Sequence, residues 1–255
     1  MKKILIKYCI VLLFIYLSFK YNQDIKLNVS IILNIFAKNI VPSIFPIIFI
    51  SNYIKYNILN NKTNKTLKYI SLCLSFAPSN ALLTANMGEL IYSTNINPLF
   101  SYLIIKNILE RKIALIIVLT NLIINYIFLY KNLSNKETIY DKKNISEIIK
   151  ITTNNIINIL GTTIFFNIFI TLLSNIIPSL FLVPLEIINS YKIISSIKNY
   201  YIKVILCTFI NSFCGIAIYF QIKSINDETN YKFVIKKLLI SIIITILTFI
   251  IIIMN

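Results

Sequence analysis

The sequence predicts an all-α membrane protein, a polytopic bundle of about six spanning helices with two broken or re-entrant helical regions. Three observations predict it. Of 255 residues, 57% are hydrophobic and only 13% are charged, roughly half the charged share of a soluble domain. Mean hydropathy is +0.79. The apolar residues gather in runs near the ~20 residues that cross a hydrocarbon core at ~1.5 Å per residue.

Each run is read in chain order. Residues 4–19 follow Met1-Lys2-Lys3 like a signal sequence but lack a small-x-small cleavage site before Tyr21, so 1–24 reads as a retained transmembrane anchor. Residues 29–50 form a second run, interrupted by Lys38, Pro42 and Pro46. Residues 113–129, 156–173, 201–222 and 233–254 are the cleaner spans. Between them lie apolar stretches too interrupted to cross alone. Residues 69–87 hold Pro78 within Ser75-Phe76-Ala77-Pro78-Ser79-Asn80, and residues 90–105 hold Asn95-Ile96-Asn97-Pro98. Residues 176–197 hold Pro178, Pro184, Glu186, Asn189 and Ser190. Proline removes a backbone donor and polar side chains are costly in hydrocarbon, so these stretches should face protein or a wet cavity. A β-barrel would alternate apolar and polar residues, whereas residues 113–129 and 240–253 are apolar on every face.

The runs divide into a first membrane half (25–130), a charged linker (131–150) and a second half (151–255). Asn39-Ile40-Val41-Pro42-Ser43-Ile44-Phe45 recurs as Asn175-Ile176-Ile177-Pro178-Ser179-Leu180-Phe181, each opening a broken region, which suggests a two-fold internal repeat. Paired interrupted segments in two halves point to a transporter-type binding site.

The formal charge of +16 comes from 25 Lys and Arg against nine Asp and Glu, yet the cations are scattered over the connectors. That distribution argues against nucleic acid and leaves the lipid bilayer as the partner. With Arg111 the single arginine, much of the excess reads as the coding bias of an AT-rich genome. Lys38, Glu89 and Glu186 stand apart, inside or against apolar stretches. Glu89 follows Gly88 and reads as an exposed turn. The chain has no histidine, and Cys9, Cys73, Cys207 and Cys214 lack metal-ligand spacing, so no metal or cofactor is expected. No acid pair or nucleophile–base spacing points to an enzyme.

Broken helices expose backbone N–H groups at half-helix N-termini, which hold a carboxylate without a side-chain cation. The structural breaks expected to create them are Pro42, Pro46, Pro78, Pro98, Pro178, Pro184 and Gly215. Ser75, Ser79, Asn80, Asn95, Asn97 and Asn189 supply hydroxyls and amides for a small polar ligand, or else join helices and satisfy backbone around the prolines. Gln221 either reaches the cavity or marks the membrane edge. Glu186 is a candidate to carry a coupling proton or to hold Lys38 or Lys192; the alternatives are a structural ion pair or an interfacial position.

Three strings, Val41-Pro42-Ser43-Ile44-Phe45-Pro46, Ser75-Phe76-Ala77-Pro78-Ser79-Asn80-Ala81 and Asn95-Ile96-Asn97-Pro98-Leu99-Phe100, resemble the first half of the sporulation integral membrane protein YlbJ (stage V sporulation protein V) family. Leu185-Glu186-Ile187-Ile188-Asn189-Ser190 is similar to that family's LEIT-N-G segment, and Gly215-Ile216-Ala217-Ile218-Tyr219-Phe220-Gln221 to its G-L-S-V-H-x-Q segment. The chain departs from the family's S-G-x-P-x-G-A-K string, with Phe76 and Asn80 at the glycines and Leu82 at the lysine. Ile188, Ser190 and Tyr219 replace the family's Thr, Gly and His. The family belongs to the nucleoside-recognition or gate-domain group. The resemblance implies a multi-pass, non-enzymatic transporter of a small organic anion, dipicolinic acid, across the outer forespore membrane of a spore-forming bacterium. The wider group implies a nucleoside or other small-solute permease as the alternative. A non-transporting scaffold in spore formation is the reading from a different class.

Overall fold

The computed structural model describes residues 2–58, 87–94, 98–133, 141–224 and 229–254, with positions 66, 68, 69, 72 and 84. All regular structure among them is helical. Helices α1 (Lys2–Lys20) and α2 (Asn22–Ile35) lead through a π-helical turn (Phe36–Ile40) into α3 (Val41–Tyr53) and a second π turn (Ile54–Ile58). Short α4 (Met87–Ser93) and α5 (Pro98–Ile105) precede the long α6 (Arg111–Asn132) and α7 (Ile145–Leu173). A 3-10 turn (Ser179–Leu182), α8 (Ile187–Ser196), α9 (Tyr200–Phe213), α10 (Ile216–Lys223) and α11 (Lys232–Ile253) complete the described elements.

Among the described residues, four stretches are long and apolar enough to cross a membrane: α6, α7, α9 with α10, and α11. The pair Asn22–Lys38 and Val41–Ile58, bent by 55°, makes a fifth if it crosses as one. The described apolar part of α1, Val11–Lys20, is shorter than a span.

The burial pattern identifies the solvent. On α11 the buried residues are Phe233, Lys237, Ser241, Ile244, Thr245 and Thr248, which share one helix face, whereas Ile242, Ile243, Ile246, Leu247 and Ile250 face outward. Polar groups line the inside and isoleucine the outside, the reverse of a helix amphipathic toward water. Helix α6 repeats this, with Thr120, Asn121 and Asn125 inward and Leu115, Leu119 and Ile123 outward. Hydroxyls that would be orphaned in hydrocarbon return to their own helix. Thr245 Oγ1 donates to the Ser241 carbonyl at 2.7 Å, and Thr248 Oγ1 to the Ile244 carbonyl at 2.8 Å. These features mark the chain as a membrane protein.

Helices α2 and α3 pack on α7, while α4, α5, α9 and α11 surround α6, and α8 lies on α9. Helix α10 joins the two groups by touching α7 and α11. Between α3 and α7, Asn52 Nδ2 donates to Thr152 Oγ1 at 3.1 Å, a polar tie where both residues are buried.

The expected breaks are placed unevenly. Pro42 falls at the start of α3, where the lost donor costs least, and the preceding π turn closes with the Val41 N–H on the Phe36 carbonyl. Pro46 does not break the helix: α3 continues through it, held by Ile44 and Ile48 buried in the cluster that includes Ile156 of α7. Pro98 opens α5, and Pro178 immediately precedes the 3-10 turn. The 201–222 run, one of the cleaner spans, is interrupted at Cys214 and at the expected break Gly215. The two stretches read as a repeat take different local conformations, helical at 39–45 but a turn followed by 3-10 structure at 175–181. Pro78 lies outside the described residues.

Candidate functional site

The interruption after α9 is built by two residues of positive φ. Cys214 ends α9 in the left-handed conformation at φ 67°, and Gly215 follows at φ 81°, ψ 160°. The freed N–H groups of α10 do not point into open space. Ile216 N–H donates to the Pro184 carbonyl and Ala217 N–H to the Leu185 carbonyl, both at 2.9 Å. The loop around Pro184 is therefore clamped onto the start of α10.

Glu186 ends that loop, 2% exposed, and caps α8. Its Oε2 accepts from the Asn189 backbone N–H at 2.9 Å and from Asn189 Nδ2 at 3.1 Å. A carboxylate at a helix N-terminus is stabilised both by these donors and by the helix dipole. Asn189 Oδ1 in turn accepts from Asn167 Nδ2 of α7 at 3.2 Å. Below it, Thr171 Oγ1 donates to the Asn167 carbonyl at 2.9 Å and accepts from Asn28 Nδ2 of α2 at 3.2 Å. One polar chain thus runs from Glu186 across α7 to α2.

This arrangement corrects two expectations. The half-helix N-termini of α8 and α10 are filled by the protein's own oxygens, so neither presents bare N–H groups to an anion. Glu186 does not hold Lys38 or Lys192; both lysines are exposed, and the carboxylate instead accepts from Asn189 in the first turn of α8. Replacing Glu186 with alanine should destabilise the protein by about 1–3 kcal/mol, because buried helix-end donors lose their acceptor. Glutamine, which keeps one acceptor oxygen, should recover most of that loss in an unfolding titration in mixed micelles.

A second polar cluster adjoins the interruption on the α9 side. Asn211, one turn before Cys214, accepts the Ser101 hydroxyl of α5 at its Oδ1. Its backbone carbonyl takes Asn121 Nδ2 of α6 at 3.3 Å. Asn125, one turn along α6, donates Nδ2 to the Asn121 carbonyl at 2.8 Å and to Asn121 Oδ1 at 2.6 Å. These groups, with Tyr69, Tyr92 and Tyr126, line a cavity of about 50 Å³. Asn121, Asn125, Asn211 and Ser101 are each at most 4% exposed, and no charged residue is among the described lining. That volume admits roughly three waters or a solute group of a few heavy atoms.

Neither sequence nor fold finds a match among family models, curated proteins or solved structures. The functional reading therefore rests on the geometry of the cluster and on the motifs in the sequence.

Of the candidate residues, the structure brings together Glu186, Asn189 and Gly215. The Gly215 backbone abuts Glu186 directly. Gln221 is buried further along α10 and takes no part in the Glu186 network. Ser75, Ser79, Asn80, Asn95 and Asn97 lie outside the described residues. Glu89 is corrected: it is fully buried in the first turn of α4, where both carboxylate oxygens accept from Lys68 Nζ, at 3.0 and 3.1 Å.

Sequence reasoning missed the amide cluster because Asn121, Asn125 and Asn211 sit inside runs judged by mean apolarity. The available signal was their spacing. Asn121 and Asn125 are four apart, so they stack on one helix face, and an amide pair in a spanning segment needs partners. Lys237 was missed in the same way; it is fully buried and donates to the Ile91 carbonyl at 3.0 Å, tying α11 to α4.

Proposed function

We propose that the protein is a multi-pass membrane permease for a small organic solute, bound at the amide-lined cavity beside the interruption between α9 and α10. The supporting observation is that cavity: amides and hydroxyls converge between apolar helices, beside a discontinuous helix, the setting in which transporters place their substrates. Its volume is about 50 Å³, so a larger solute enters only when the surrounding helices part. Passage is then by alternating access with no covalent chemistry. In this reading the runs at 4–19 and 29–50 bring the crossings to about six, the broken regions flank the path, and the two halves form a two-fold internal repeat.

The resemblance of the sequence motifs to the YlbJ family names the first solute to test, dipicolinate moved across the outer forespore membrane. Deleting the gene in a sporulating host should strongly lower spore dipicolinate, and normal dipicolinate in such spores overturns that assignment. Reconstituted vesicles separate the alternatives. Nucleoside flux without dipicolinate flux supports the wider small-solute reading. No flux of either, from protein of normal abundance, leaves the scaffold.

A further inference from the structure

The cavity sets a condition on what enters it. Asn125 Nδ2 donates to the backbone carbonyl of Asn121, and Asn121 Nδ2 donates to the backbone carbonyl of Asn211. A backbone carbonyl only accepts, so neither amide can be turned end for end without losing its bond. The orientation of both side chains is thereby fixed. Asn125 Oδ1 is left buried with no hydrogen-bond partner among the described residues, on a residue 3% exposed that lines the cavity. A buried acceptor without a donor costs about 1–3 kcal/mol, which a ligand recovers by supplying an N–H or O–H group.

The same geometry disfavours an ionised carboxylate. Such a group only accepts, so it would set its own lone pairs against Asn125 Oδ1. The described lining also offers no cation to offset the loss of its water shell.

We propose that the cavity binds an uncharged solute group that donates a hydrogen bond to Asn125 Oδ1, with a primary carboxamide as its type, and that it discriminates against the isosteric carboxylate. The proposal rests on the permease reading for its biological setting and on the cavity alone for its chemistry. An acid carried by this site would enter undissociated.

Three probes of equal size separate donor from charge: acetamide is neutral with a donor, acetone is neutral without one, and acetate is charged without one. Relative affinities are measured by saturation-transfer NMR on the full chain in nanodiscs at neutral pH. Acetamide is expected to bind roughly tenfold to hundredfold more tightly than either analogue, matching the cost of an unmet buried acceptor. In Asn125→Leu that preference should vanish. Acetate or acetone binding as well as acetamide, an absence of acetamide binding, or a preference that survives Asn125→Leu overturns the proposal. The comparison on the native chain decides the matter even where the variant fails to fold. Selective binding without flux in vesicles would end the permease reading and leave the site standing.

Discussion

Glu89→Ala is expected to destabilise the protein by about 3–5 kcal/mol, among the largest effects of any single side chain here. Lys68 and Glu89 form an ion pair whose side chains are 5% and 0% exposed. Two charges withdrawn from water gain little net stability as a pair, but deleting one strands the other in a setting that cannot solvate it. The consequence extends beyond the pair, because the same short helix α4 supplies the Ile91 carbonyl to Lys237 and the Thr94 carbonyl lies 3.5 Å from Cys214 Sγ. Losing α4 would loosen α11 and the interruption after α9 together. Lys68→Met with Glu89→Leu removes both charges and should recover most of the loss. Unfolding titrations in mixed micelles check both; a Glu89→Ala protein as stable as the native chain would contradict the account.

Gly215→Ala comes next, with an expected cost of about 1–3 kcal/mol from backbone strain alone. The residue's φ of 81° and ψ of 160° are essentially restricted to glycine. Space is short as well as conformation. A Cβ there would lie 3.2 Å from the Leu185 carbonyl oxygen and 3.3 Å from the Glu186 Cα, both backbone atoms that cannot rotate aside. The Leu185 carbonyl is the acceptor for the Ala217 N–H, so relieving the contact would pull the clamp off α10. In the permease reading, transport by Gly215→Ala should therefore fall more than its residual stability explains. Valine, branched at Cβ, should be worse than alanine. Flux per folded molecule in vesicles, normalised by gel filtration, provides the measurement; full activity in the valine variant would show that the junction has no part in the cycle.

The helical membrane character was legible because it depends on quantities that a sequence carries locally, namely run length and hydropathy. Residues 113–129 and 233–254 sit within α6 and α11 almost end to end. Breaks were legible where proline or glycine has a local effect: Pro98 opens a helix, and Gly215 sits at a positive φ where any side chain is strained. Pro46 was not, because a helix interior absorbs one missing hydrogen bond when its neighbours are packed. Partnership was harder still. Glu186 looked like a lone acid seeking a cation, whereas its donors are on Asn189, in the first turn of the helix that it caps. Glu89 looked exposed beside a glycine because its partner, Lys68, lies far back along the chain. Asparagine contributes little to mean hydropathy in a run of isoleucine. The cluster of Asn121, Asn125 and Asn211 becomes visible only when α6 and α9 are set side by side.

The uncharged lining of that cluster also governs how the protein meets a membrane voltage. Each elementary charge moved across the bilayer is worth about 2.3 kcal/mol per 100 mV. Amides and hydroxyls carry none, so a rearrangement confined to Asn121, Asn125, Asn211 and Ser101 shifts no gating charge. With a neutral solute in the cavity, the loaded step would be electrically silent and driven by concentration alone.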